Sequence, residues 1–372
     1  MTQPQTFICE DIAIEIFLRL PLKSLIRFQC LSKYFESLIS NQTFVKYHLR
    51  RSQKNTNLLI KFTDYLKSFS LVNDDVSLST IVKDFDFGFR LKSKYEVVGS
   101  CDGLVCLIAI KRPGTKYLVC LWNPSTKSHS YKASLLVHSR SWSWRCPPHD
   151  MFGFGYDSLS DTYKVVVVNF KTYSSKSEVN VYNKRDNCWR NIQNFPGFGI
   201  LTINPGMHLN GTINWFATSN FDYDWRIPVY IVSLDLGNET YKQLSLPSCF
   251  DQARRVGRCR AMPSLGILKD RLCFSYDDVE RTQFILWQMN EYGVESSWTQ
   301  LLKLSYALRI DEECILPPLG TSKNDYLLLI ESVEGRLQVT TLYNHEDNSE
   351  IPMTMNKLWL YTKDYLPSLV AP

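Results

Sequence analysis

CDGLVCL (101–107) followed by YLVCLWNPSTKSHSY (117–131), and DTYKVVVV (161–168) followed by VNVYNKRDNCWRNI (179–192), are two imperfect copies of one unit. Each copy runs through a turn built on Asp or Gly, a strand, a second strand ending in an aromatic or polar residue, a charged turn and a further strand. Short runs of Val, Ile, Leu, Tyr and Phe suit a pleated surface, and the Asp, Asn, Gly and Ser between them suit tight turns. The unit returns as LNGTINWF (209–216) with VYIVSLDLGNETYKQL (229–244), as KDRLCFSY (269–276) with FILWQMNEYGVESSW (284–298), and as KNDYLLLI (323–330) with LQVTTLYN (337–344). LLIKF (58–62) and SFSLV (68–72) make a sixth. The leading strands begin near 103, 162, 211, 271 and 325, a period of about 50–60 residues.

Repeats of that length, each with several short strands, point to a β-propeller, in which a blade buries both of its faces only against its neighbours. Five to seven blades are expected, with six the best fit, and residues 357–362 are placed to close the ring against an early strand. A β-sandwich, or a pair of them, is the alternative, since stacked hairpins also give imperfect repeats. Trp122, Trp189, Trp215, Trp287 and Trp298 recur at similar places in the units and are expected in cores or between blades. Gly153-Phe154-Gly155-Tyr156 precedes a strand rather than a helix, so it reads as a turn and not as a dinucleotide fingerprint.

Upstream of the repeats the texture is helical. Ile8, Ile12, Ile16 and Leu20 recur at i, i+4, with Ala13 and Phe17 broadening the stripe and Asp11 and Glu15 near the start, where a helix dipole favours negative charge. Pro21 breaks this helix and opens a short second one through Leu22, Leu25, Ile26 and Phe28. Ser32 reads as the N-cap of a third helix over 33–39. The fold class is thus α+β with two units: a three-helix unit over 7–50 and an all-β domain over 57–372. Three short helices are too few for a self-sufficient core, so this unit is expected to dock onto something else.

Composition narrows the chemistry. Of 372 residues 44% are hydrophobic and 21% charged, values of a folded chain rather than a disordered one. No apolar run approaches the roughly 20 residues of a membrane span. The start of the chain has two acids and no basic leader, and the cysteines number eleven at scattered spacing; a cytoplasmic or nuclear protein with reduced thiols is expected. Residues 1–271 hold 35 basic and 22 acidic groups against 7 and 15 for 272–372, or +13 and −8. Arg254, Arg255, Arg258 and Arg260 supply part of that positive excess in what reads as an exposed loop, a candidate contact for an acidic partner surface. They form no basic stripe on a recognisable nucleic-acid module, so no nucleic-acid partner is expected. Six dispersed histidines make no metal-ligand spacing, and neither a nucleophile elbow nor a phosphate loop occurs. No cysteine is paired in sequence with a base. Neither catalysis, metal nor cofactor is expected.

CEDIAIEIFLRLPLKSLIRFQCLSKYFESLISNQTFVKYHL (9–49) closely resembles the plant F-box, with 19–25, Arg27-Phe28, Cys30, Lys33 and Phe44 as landmarks. GSCDGLVCL, LWNP, FGFGYDSLSDTYKVVVV, VYNKRDNCWR, NGTINWFA, IVSLDLGNETYKQLSLP and MNEYGVESSWTQLLKL resemble the kelch-like F-box-associated domain of the same family, which includes the S-locus F-box proteins. The resemblance implies a substrate receptor of an SCF ubiquitin ligase: a Skp-family adaptor held by a cullin docks on the F-box, and the associated domain captures a target, such as a ribonuclease in self-incompatibility or a signalling protein. It assigns adaptor contact to Ile12, Ile16, Leu20, Pro21, Leu25, Cys30 and Leu31. Two departures from the family pattern, Ile8-Cys9 in place of Leu-Pro and Phe35 in place of Trp, keep apolar character and imply weakened rather than lost docking. The double glycine of kelch blades is missing.

Overall fold

Val165, Val166, Val167 and Val168 are all fully buried, yet they belong to two different cores. They lie in the strand Thr162–Phe170, whose alternate side chains leave opposite faces. Val165 and Val167 pack with Cys106, Ile108 and Val119, whereas Val166 and Val168 pack with Ile213, Trp215 and Val232. A strand covered on both sides reads as an unbroken apolar run, and here the covers are the neighbouring sheets.

The structure is a computed structural model that describes residues 9–372 except 53–56, 62–65, 73–74, 83–94, 112–115, 131–132, 137–149, 171–176, 200–204, 220–226, 258–262, 279, 306–314, 317–325, 334–335, 345–349 and 353–360. The described residues form six antiparallel sheets. Five follow the chain as blades: the second from Tyr95–Cys101, the third from Asp150–Asp157, the fourth from Met207–Leu209, the fifth from Ser264–Leu268 and the sixth from Ile315–Leu316. The first combines Asn57–Lys61, Leu66–Val72 and Asp75–Val82 with Tyr361–Tyr365, which pairs with Asn57–Lys61. Chain closure therefore occurs as expected, a few residues beyond 357–362. The opening strands of the second, third and fourth blades touch in sequence, and Tyr361–Tyr365 touches Tyr95–Cys101, so the blades follow one another as in a propeller.

The strands expected to lead each unit are in fact second strands, preceded by the blades' innermost ones. Gly153-Phe154-Gly155-Tyr156 is not a turn but the middle of such a strand, Asp150–Asp157. Close approach dictates its glycines. A Cβ on Gly155 would stand 2.1 Å from His208 Cδ2, and one on Gly153 2.6 Å from Ile213 Cγ2, both on the fourth blade. Phe152 and Phe154 point the other way into the core shared with the second blade. Trp215 Nε1 donates to Phe152 O at 3.0 Å across the same junction.

Five loops share one geometry. The Oδ1 atoms of Asn123, Asp157, Asn183, Asp235 and Asp278 accept from backbone N–H groups two or three residues on, at 2.8–3.3 Å. Four residues after each stands a left-handed residue: Lys127, Asp161, Asn187, Glu239 or Thr282, with φ between 50° and 58°. An Asx side chain that mimics a backbone turn makes the loop repeat even where its sequence does not. The third and fourth blades are further tied by Lys164, whose Nζ lies 2.9 Å from Asp157 Oδ2 with both side chains 2% exposed, and 3.4 Å from Glu239 Oε1. Burial alone would push the Asp157 carboxyl up; hydrogen bonds from Ser160, Lys164 and the Leu159 amide outweigh it and hold the pKa below the usual value.

Ahead of the blades stand four helices rather than three: α1 (Glu10–Leu18), α2 (Leu22–Gln29), α3 (Lys33–Ser40) and α4 (Gln42–Ser52). Ser32 caps α3 as expected, accepting from Phe35 N at 3.2 Å. Asn41 opens α4 by accepting from Thr43 N at 2.9 Å. α4 lacks a broad apolar stripe; Phe44 and His48 are its buried residues, and His48 Nε2 meets Leu20 O at 3.1 Å, fixing the break at Pro21. Phe17, Phe28 and Phe35 stack edge to face or tilted with centroids 5.2–6.3 Å apart, so Phe35 packs its ring against the helical core. α4 reaches the blades through Asp161, whose carboxylate accepts from Lys46 at 2.7 Å and Gln42 at 3.4 Å, bonds Tyr156 OH, and lies 3.7 Å from Arg185.

Candidate partner-docking surfaces

Helix α1 is apolar on two sides. Phe17 and Leu18 turn inward to meet Leu25, Ile39 and Phe44, and Ala13 is buried as well. Ile12 and Ile16, one turn apart, are 56% and 46% exposed. Exposed apolar residues scattered singly mean little, whereas a contiguous apolar patch is the kind of surface that a partner covers. Leu31, between α2 and α3, is 66% exposed, and Tyr34, at the start of α3, 50%. Five of the nine large hydrophobic residues exposed among the described ones belong to this helical unit: Ile12, Ile16, Tyr34 and Tyr47 on its helices and Leu31 between two of them.

The seven residues assigned to adaptor contact divide. Ile12, Ile16 and Leu31 are open to solvent; Pro21, at the N-cap of α2, and Cys30, at its C-cap, are also exposed. Leu20 is half-buried and packs at the edge of the helical core. Leu25 is corrected: at 0% exposure it is the centre of that core and has no surface to offer. Tyr34 and Tyr47, which the sequence reading does not single out for contact, are also exposed, at 50% and 52%.

The arginine cluster is also corrected. Arg254 and Arg255 do not lie in an exposed loop but end a helix, α5 (Ser248–Arg255), that seats Phe250 and Ala253 in the core between the fourth and fifth blades. Arg254 is buried with its guanidinium 5.8 Å from the Phe250 ring centre, while Arg255 is exposed. Phe250 and Ala253 stand at helical spacing, a signal masked by the surrounding charge. Arg258 and Arg260 lie outside the described residues.

One cysteine does meet a histidine: Cys101 Sγ is 3.6 Å from His208 Nδ1. The thiol is buried, and burial first, then the Asp102 charge, pushes its pKa well above the ordinary value. His208 Nε2 is itself 3.3 Å from the Tyr156 backbone N. A thiol held protonated in a closed core is packing, not a nucleophile. Among the described residues no group of three His, Cys, Asp or Glu could hold a metal, no disulfide occurs, and no helix is long and apolar enough to cross a membrane.

Comparison with known proteins places the two parts. Residues 8–47 match the F-box domain family and residues 56–372 the F-box associated beta propeller domain family. An F-box/kelch-repeat protein of Arabidopsis thaliana is 31% identical over 305 residues, covering 78% of this chain and 77% of its own. The F-box protein CPR1 of Arabidopsis thaliana is 28% identical over 341 residues, 86% of this chain and 78% of its own. Among solved structures, the Dos1 propeller overlaps 82% of this chain and 69% of its own with a TM-score of 0.39 and 12% identity. With its helical unit and its ring both matched, the chain belongs to the plant F-box proteins that carry an F-box-associated β-propeller.

Proposed function

We propose that this chain is the substrate-recognition subunit of an SCF-type ubiquitin ligase, in which the helices hold a Skp-family adaptor joined to a cullin and the propeller captures the protein to be ubiquitinated. The exposed pair Ile12 and Ile16 supports this reading, because it is apolar surface open to solvent on a module whose core is otherwise closed. Recognition here needs no reacting residue and no cofactor. Holding a target near a conjugating enzyme raises the effective concentration of its lysines, and that alone accelerates transfer.

The propeller offers rigid blades with loops at their ends, the usual arrangement of a recognition surface. Arg255, with Arg258 and Arg260 beyond it, is the candidate basic contact for a target, and Arg254 supports the helix from inside. The resemblance to S-locus F-box proteins makes a ribonuclease one target class within this proposal, and a signalling protein another. A cytoplasmic or nuclear site of action goes with the ligase.

Co-expression with a Skp-family adaptor and size-exclusion chromatography test the proposal. A stoichiometric complex is expected. Elution of both proteins as separate folded monomers would sink it and leave a free-standing propeller scaffold or sequestering protein with vestigial helices.

A further inference from the structure

The segment that follows the ring-closing strand, Leu366–Pro372, is used neither for docking nor for closure, yet it touches three parts of the molecule. Leu369 is buried in the helical core with Phe17, Leu18, Leu25, Ile39 and Phe44. On either side of it the backbone is held by the second blade: Asn123 Nδ2 donates to Ser368 O at 2.9 Å and to Val370 O at 2.8 Å, and Ser368 Oγ donates to Asp102 O at 2.6 Å. Lys184, on the third blade, donates to Ala371 O at 2.6 Å. The slot is shaped to the segment. Gly103 adopts a φ of +81°, and a Cβ there would stand 2.2 Å from Ser368 Oγ and 2.4 Å from Leu366 O.

Around this segment the seam between helices and blades is lined by open clefts. A cavity of about 820 Å³ lies between α4 and the second and third blades, with Leu369, Val370 and Ala371 forming part of its wall, and another of about 580 Å³ lies between Leu20, His48 and Leu366. Modules in one chain move relative to each other unless a substantial apolar contact fixes them, and an exposed ion pair such as Lys46 with Asp161 adds little. Among the described residues, the buried apolar side chain that enters the helical core from outside the helices is that of Leu369.

We propose that Leu366–Pro372 is a strap: it is anchored on the second and third blades, and by placing Leu369 inside the helical core it fixes the helices on the ring. If the helices carry the adaptor and the ring the target, the strap also sets the distance between them; that consequence rests on the proposed function, whereas the strap does not.

Two variants test it: Leu369→Ser in the full chain, and a chain ending after Tyr365, which keeps the ring-closing pairing. Amide exchange is followed in α3 and α4 and in the strands Thr162–Phe170 and Thr212–Thr218, together with the radius of gyration by small-angle scattering. Expected in both variants is exchange at least about tenfold faster in the helices, or unchanged exchange with an enlarged radius from a module that is untied but folded; the strands keep wild-type exchange in either case. Helices unchanged in both exchange and radius would overturn the strap. So would helices and strands losing protection together, which would make the segment part of the ring's own fold.

Discussion

The strand Thr162–Phe170 and the helix Glu10–Leu18 are both nine residues long and rich in apolar side chains, and they dispose of them differently. The strand has a sheet on each side within the same chain, so both of its faces are buried. The helix has the rest of its bundle on one side only: Ala13, Phe17 and Leu18 go in, and Ile12 and Ile16 stay out. An apolar residue that the chain itself does not cover is informative in proportion to how well the rest is covered. The ring is closed by its own last strand. The helical module is completed from outside, by Leu369 on one side and, in the proposed function, by an adaptor on the other.

The comparison breaks first in the ring. Lys164→Ala leaves Asp157 buried without its ammonium and is expected to cost about 3–5 kcal/mol, read as a lower denaturant midpoint in the signal of the strands; a cost below about 1 kcal/mol would mean that the blades do not depend on that junction. Next comes the helical core. Leu25→Ala should cost about 2–5 kcal/mol, appearing as loss of helical circular dichroism while the ring's transition stays in place. Simultaneous loss of both would mean that the two parts fold as one.

Smaller effects sharpen the boundary. Lys46→Met should cost at most about 1 kcal/mol, since the pair with Asp161 is partly solvated. Hydrogen bonds from Lys46 and then Tyr156 hold the Asp161 carboxyl below its ordinary pKa of 3.8. A lowered folded pKa gives stability that is complete above 3.8 and is lost as the pH falls through the folded value. In wild type the protection of α4, taken relative to the intrinsic amide exchange rate at each pH, should therefore fall below about pH 4, and Lys46→Met should flatten that acid limb. The smallest effect is expected for Ile12→Ser with Ile16→Ser, within about 0.5 kcal/mol of wild type by thermal unfolding, because those side chains are not in the chain's own core.

How far these features are visible in the sequence follows from where each signal resides. The blades are legible because second and third strands are apolar runs and because one Asx loop recurs, from Asn123 to Asp278. The innermost strand of the third blade is not, since close approach selects glycine at Gly153 and Gly155 and thereby removes the β-branched signature. The stripe Ile12, Ile16, Leu20 identifies an amphipathic helix, which ends at Leu18 and carries apolar residues on two faces, and periodicity does not say which one turns inward. α4 was hidden because its face rests on Phe44 and His48, a ring and an imidazole, rather than on aliphatic residues. Arg254 reads as surface from its charge, whereas the helix that carries it is set by Phe250 and Ala253. Nothing local connects Leu369 to Phe17 and Leu25; only the closed ring brings them together.

The central claim is that the outward face of α1 is the surface completed by an adaptor. Calorimetric titration of a Skp-family adaptor into wild type and into Ile12→Asp with Ile16→Asp, each first shown to be folded by circular dichroism, tests it most directly. Tight one-to-one binding to wild type and a loss of at least about a hundredfold in affinity, or about 2.7 kcal/mol, is the predicted result. Equal affinity for the two forms would contradict it.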